Sequence, residues 1–286
     1  MVPRSERVLV TGPTDPKDGG FPLVSFFAVV YAASLMALVV VGLPPLPGDP
    51  GHPPVAALVV FPFMVVTVAA AGVGLTGVVG GRTAVASLLR GIRTWRMGCA
   101  NWAALLIAPA CILASLLLLR LAVSSAFAPH MFPVGILFGL VAGFFEEFGW
   151  TGYAYPRMAQ RQGPFVGALV LGVLWGLWHL PVVDSLGAAA PHGRHWLLFF
   201  GAFVLALTAL RVLIAWIYSA SGSLLMAQLM HASSTGFLVV LGAPHVTATQ
   251  EATWYALYGL LLATVATILW RASGVGLRSR TLGAAR

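Results

Sequence analysis

The chain has 286 residues, only 8% of them charged, and a mean hydropathy of +0.92. A soluble domain of this size wets too much surface to be so apolar, so the composition excludes a soluble enzyme or binding module and indicates an integral membrane protein. A net charge of +8 would point to nucleic acid in a soluble protein, but here the basic residues fall between apolar runs, so lipid headgroups and membrane topology account for them and no nucleic-acid partner is expected.

Residues 1–20 are polar, carry Arg4, Arg7 and Lys17, and read as a cytoplasmic tail. The run at 21–43 has the length of a bilayer span rather than a signal-peptide core, so it is expected to be retained as the first helix. Seven further spans are expected at 55–79, 99–120, 131–155, 164–183, 196–218, 222–242 and 252–270. The join "GLPPLPGDPGHPPV" at 42–55 has a stiff, donor-poor backbone suited to a surface loop. The stretch 81–98 interleaves Arg82, Arg90, Arg93 and Arg96 with apolar residues, the pattern of an interfacial amphipathic helix. Cys99 and Cys111 are expected on one helix about 18 Å apart, too far to bridge.

The fold expected is therefore an all-α polytopic membrane protein, a bundle of about eight transmembrane helices plus one interfacial helix. Its divisions are a tail at 1–20, N-terminal helices at 21–130, a core at 131–242, and a last span with a basic tail at 243–286. Arginines at 82–96, 157, 161, 271, 278, 280 and 286 gather on the side of the N-terminus, leaving Arg120 and Arg194 opposite, which places both termini in the cytoplasm. The excess of arginine over lysine, with abundant alanine, glycine and valine, suggests a GC-rich bacterial genome.

Away from the span ends, where Arg120 falls, charge inside the spans is confined to Glu146, Glu147 and Arg211. A carboxylate at mid-bilayer costs about 2.5–3.5 kcal/mol on insertion scales, so two adjacent ones must face a polar interior or find partners. Neighbours on a helix point about 100° apart, so the two glutamates are expected to have different jobs. The fifth span sets Trp175 and His179 one turn apart in "WGLWHLP", and the seventh carries a stripe of Gln228, His231, Ser234 and Thr235. Serine and threonine stripes ordinarily serve helix packing. An imidazole at that depth needs a partner, which makes His231 a candidate for chemistry. Arg211 either snorkels or pairs with a carboxylate such as Glu147. His130, His192, His195 and His245 fall in outer loops and are expected to be solvated. Two carboxyls and two imidazoles could supply a base for water, donors for an oxyanion and an acid for a leaving amine. Proton-coupled transport is the competing use of such buried groups, though no inverted repeats are evident.

"EEFGWTGYAYPRM" at 146–158, "WGLWHLP" at 175–181 and "SLLMAQLMHASST" at 223–235 resemble, in order and spacing, the three motifs EExxxR, FxxxH and HxxxN of the CPBP family of CAAX proteases and bacteriocin-processing enzymes. The resemblance covers about residues 131–242. It implies an intramembrane glutamic-type endopeptidase acting on a membrane-associated peptide or protein substrate, with Glu146 as the base that activates water, His179 orienting that water and His231 stabilising the oxyanion. Glu147 would support the geometry or pair with a neighbour. Thr151 replaces the motif arginine, which leaves no fixed cation for the glutamates unless Arg157, two turns on, partly substitutes or Arg211, by pairing with Glu147, takes its place. Trp175 for phenylalanine reads as conservative. Thr235 offers one hydroxyl where the motif has an amide. These departures keep open a catalytically weak member acting as an immunity or scaffold protein. No cofactor is expected; zinc is the competing use of Glu and His ligands, but no HExxH is present.

Overall fold

The computed structural model describes residues 21–41, 55–186 and 188–274. The expected N-terminal tail, nearly all of the proline-rich join and the basic end beyond 274 lie outside them. Among the described residues the regular structure is entirely helical, and the eight expected apolar runs are all helical, two of them interrupted.

Helix α1 is Phe21–Val41 and α2 is Val55–Arg90. A break at Gly81 (φ 66°, ψ −168°) divides α2 at the boundary between the expected span and the arginine-rich segment. That backbone region is open essentially to glycine alone. The basic segment stays helical only to Arg93, ending in a 3-10 turn at Gly91–Arg93, short of the expected 98. Packing explains the early stop, because the Thr94 carbonyl accepts the hydroxyl of Ser223, the residue that caps a later helix.

The single helix expected over 99–120 is two, α3 (Cys99–Ala104) and α4 (Ile107–Ala122). Pro109 has no N–H for the carbonyl four residues back, at Leu105, where the break falls. Cys99 is exposed and Cys111 buried; both are free thiols.

Next come α5 (Val134–Gly149), one π-helical turn (Trp150–Ala154), α6 (Tyr155–Gln162), α7 (Pro164–Trp178), the short α8 (Val183–Leu186), α9 (Trp196–Ser221), α10 (Leu224–Val240) and α11 (Ala248–Ser273). Six helical stretches are long and apolar enough to cross a membrane, whereas α7 and α10 are shorter apolar helices. At 1.5 Å per residue α7 is only about 22 Å long, short of a hydrocarbon core of about 30 Å. α10 packs into the interior and carries His231, whereas α7 buries one face, exposes Val166, Val170, Val173 and Leu177 on the other, and ends at His179.

Small residues set the helix spacing. Gly135, Gly139 and Gly143 line one face of α5 against α10: a Cβ on Gly135 would lie 2.6 Å from the Gly236 carbonyl, and one on Gly143 would lie 2.6 Å from the Ala232 amide. Gly172 and Gly176 admit Thr208 and Val204 of α9 in the same way. Where lipid is as apolar as leucine, such close backbone contact is a principal attraction between helices. It also brings α5, α7, α9 and α10 close enough for side chains of ordinary length to meet.

One expected surface residue is not solvated. His192 is buried, stacked flat on Phe199 at 3.7 Å, and bridges Asp184 and Glu251, with Nε2 2.9 Å from Glu251. Glu251, expected just outside the last span, lies in α11 and also accepts the Ala188 and Ala189 amides. This cluster ties the α7–α9 connection to α11.

Candidate active site

Glu146 and Glu147 occupy the last turn of α5, and both are fully buried. Their surroundings differ as the 100° offset requires.

Glu147 is clamped on every side. Arg211 of α9 approaches it end-on through two nitrogens, Nη1 to Oε2 at 2.8 Å and Nη2 to Oε1 at 2.9 Å. His231 of α10 donates from Nδ1 to Oε1 at 2.8 Å, and the Thr151 hydroxyl donates to Oε2. Arg211 Nη1 also reaches the Thr151 hydroxyl oxygen at 3.2 Å. Two-pronged guanidinium–carboxylate pairing with its remaining lone pairs filled is the geometry in which a buried ion pair best offsets its desolvation. Of the two readings of Arg211, pairing with Glu147 is the one found: the fixed charge comes from this residue of α9, sixty residues beyond Thr151. Arg157 does not stand in for it. Its Nη1 bonds the Tyr153 carbonyl at 2.9 Å and its guanidinium lies 3.7 Å over the Tyr153 ring.

Glu146 is held differently. Its Oε2 accepts two indole N–H groups, Trp175 of α7 at 2.8 Å and Trp150 of the π turn at 3.1 Å. Its Oε1 is buried and has no hydrogen-bond partner among the described residues. The π turn belongs to this arrangement. Pro156, in the first turn of α6, has no N–H to give the turn before it, and Trp150 and Thr151, where the altered winding starts, each reach back four residues to one glutamate.

Trp175 stands at the junction of the candidate groups. Beyond its bond to Glu146, its ring lies 4.3 Å from the Arg211 guanidinium, 4.8 Å from the His231 ring and 5.6 Å from the His179 ring. Reading it as a conservative replacement for phenylalanine is thus corrected, because phenylalanine has no donor to give Glu146.

His179 caps the C-terminus of α7, and its Nδ1 donates to the Trp175 carbonyl at 2.9 Å. With the Nδ1 proton committed, the neutral ring presents Nε2 as an acceptor. The ring leans back one turn toward Trp175. His179 reaches Glu146 through Trp175 rather than by a direct bond. Trp178 and Phe203 pack around it at 4.8 and 5.4 Å.

The polar stripe of α10 has divided functions. Gln228 donates to the Phe144 carbonyl at 2.8 Å, fastening α10 to α5. Ser233 bonds back to Met230 at 3.0 Å, and Ser234 pairs with the Tyr258 hydroxyl of α11 at 2.8 Å. These are packing roles. Thr235 is half-buried one turn beyond His231. Among the described residues no group of three His, Cys, Asp or Glu side chains is arranged to hold a metal ion.

The arrangement thus offers one carboxylate with an open oxygen, a histidine with a free acceptor and a second histidine hydrogen-bonded to the Arg211-paired carboxylate. Residues 128–237, which contain all of these groups, match the family described as type II CAAX prenyl endopeptidase Rce1-like. A relative named CAAX prenyl protease 2, from Methanococcus maripaludis, is 27% identical over 147 residues, 51% of this chain. The aligned region spans about half of that relative's length (52%). Residues 128–237, where the three motifs fall in order on helices that the structure brings together, are thus similar to the CAAX proteases of the CPBP family.

Proposed function

We propose that this protein is an intramembrane endopeptidase that hydrolyses a peptide bond of a membrane-anchored substrate, with a prenylated C-terminal peptide as the preferred class. The observation that carries the reading is the asymmetry of the glutamate pair: Glu147 is fully committed, whereas Glu146 is fixed through one oxygen and keeps the other open.

In the proposed reaction Glu146 Oε1 takes one proton from water while His179 Nε2 accepts a hydrogen bond from the O–H that stays on the oxygen. The resulting hydroxide adds to the scissile carbonyl carbon. His231, doubly protonated, keeps Nδ1–H on Glu147 and gives Nε2–H to the oxyanion, with the Thr235 hydroxyl as a second donor. Collapse of the tetrahedral intermediate breaks the C–N bond, and the proton held on Glu146 passes to the departing amine. The water proton ends on the amine and the hydroxide oxygen in the new carboxylic acid, so atoms and charge balance. The mechanism is metal-free, with both Glu147 oxygens and His231 Nδ1 already engaged. We also place both termini in the cytoplasm.

The test is cleavage of a farnesylated CAAX peptide by the purified protein in liposomes. Wild type should cleave it in the presence of a metal chelator, and Glu146→Gln and His179→Ala should each abolish cleavage. Full cleavage by both variants would overturn the mechanism. Thr235, a weaker donor than the motif's amide, favours a second reading in which the protein is a scaffold; wild type inert toward prenylated and unmodified peptides alike would support that reading.

A further inference from the structure

We infer that Trp175, acting with Trp150, is a positioning residue that orients the Glu146 carboxylate and leaves Oε1 as its reacting oxygen. The inference rests on the proposal that Glu146 is the base. A glutamate carboxylate turns easily about its last torsion, whose wells are broad, so burial alone does not decide which oxygen faces the substrate. Here two N–H donors from different elements, α7 and the π turn, converge on Oε2 at 2.8 and 3.1 Å. That contact fixes the carboxylate plane and spends one oxygen, while Oε1 remains buried without a partner among the described residues.

Trp175 is itself held tightly enough to serve as a reference point. It is 1% exposed, its face is covered by Arg211 at 4.3 Å, its ring meets His231 at 4.8 Å, and its carbonyl fixes the His179 tautomer. A phenylalanine could keep most of that ring packing and would lose only the donor. The indole is therefore a feature by which this chain differs from the FxxxH pattern in chemistry and not only in size.

The experiment replaces Trp175 with phenylalanine and, separately, with 3-benzothienylalanine, which keeps the bicyclic ring and puts sulfur where the N–H was. Cleavage of a farnesylated CAAX peptide is followed for each. Loss of a hydrogen bond to a charged group predicts a fall in kcat of about 10- to 100-fold in both variants with KM unchanged. In a Glu146→Gln background the same replacements should add no further loss, since the group being oriented is gone. Wild-type kcat in the benzothienylalanine variant, alongside an inactive Glu146→Gln, would overturn the inference and leave the base assignment standing. Wild-type cleavage by Glu146→Gln would instead remove the base assignment, and the inference with it. If the phenylalanine variant fails to fold, the isosteric variant still decides the question.

Discussion

At the scale of single residues, two adjacent glutamates of one helix have opposite fates, and their partners decide which. Arg211 neutralises Glu147, so Arg211→Met should strand a buried carboxylate and cost on the order of 3–5 kcal/mol, measured as a large drop in Tm in detergent. A Tm within a degree or two of wild type would mean that the clamp does not hold the site together. Thr235→Asn should restore the amide of the family motif; since an oxyanion donor is worth about 10² to 10³ in rate, kcat should rise with KM little changed. No rise would assign the oxyanion to His231 alone. The glutamates, both histidines and the Arg211 pairing option are legible in the sequence because charge in an apolar run is conspicuous. Trp175 as a donor is not, because tryptophan in a membrane helix reads first as apolar bulk, and only coordinates show its N–H facing Glu146. Asp184, His192 and Glu251 are missed for another reason: each looks ordinary alone, and His192 and Glu251 are 59 residues apart.

At the scale of elements, the site depends on how closely helices approach. The Gly135–Gly139–Gly143 face of α5 is readable as a repeat of glycine every fourth residue. Gly139→Leu should push α5 from α10, separate Glu147 from His231, and lower both Tm and kcat; overpacking of this kind typically costs about 1–3 kcal/mol. An unchanged Tm would show that the interface is not close-packed there. The connection between α7 and α9 offers a second test. Burial alone pulls the His192 imidazole down, but its hydrogen bonds to Asp184 and Glu251 outweigh that and hold it up at about 9. Because the folded value lies above the ordinary histidine value of about 6.5, this contribution is complete below that pH and is lost as pH rises through 9. Wild-type Tm should therefore fall from pH 7 to pH 10 more steeply than that of His192→Gln. Parallel curves would show that the bridge adds nothing. The π turn was not legible, since Trp150–Ala154 looks like ordinary helix in sequence and its winding depends on Pro156 and on partners across the bundle.

At the scale of the whole molecule, the eight apolar runs were legible because a bilayer imposes both length and composition on a span. Their ends were less so. The break at Gly81 comes from a positive-φ glycine just past the second run and that at Leu105–Leu106 from a proline within the third, while the short α10 is an interior helix and the short α7 keeps one exposed apolar stripe. Those two helices, with α5 and α9, bring the candidate groups to one place.

The central claim is a division of labour between Glu146 and Glu147, and the most direct measurement is the single-turnover cleavage rate of a farnesylated CAAX peptide by Glu146→Gln, taken with its Tm on the same preparation. The account predicts a rate lower by at least ~10³-fold with wild-type Tm, because the amide keeps the shape of a side chain that bears no ion pair. A wild-type rate in that variant would contradict it.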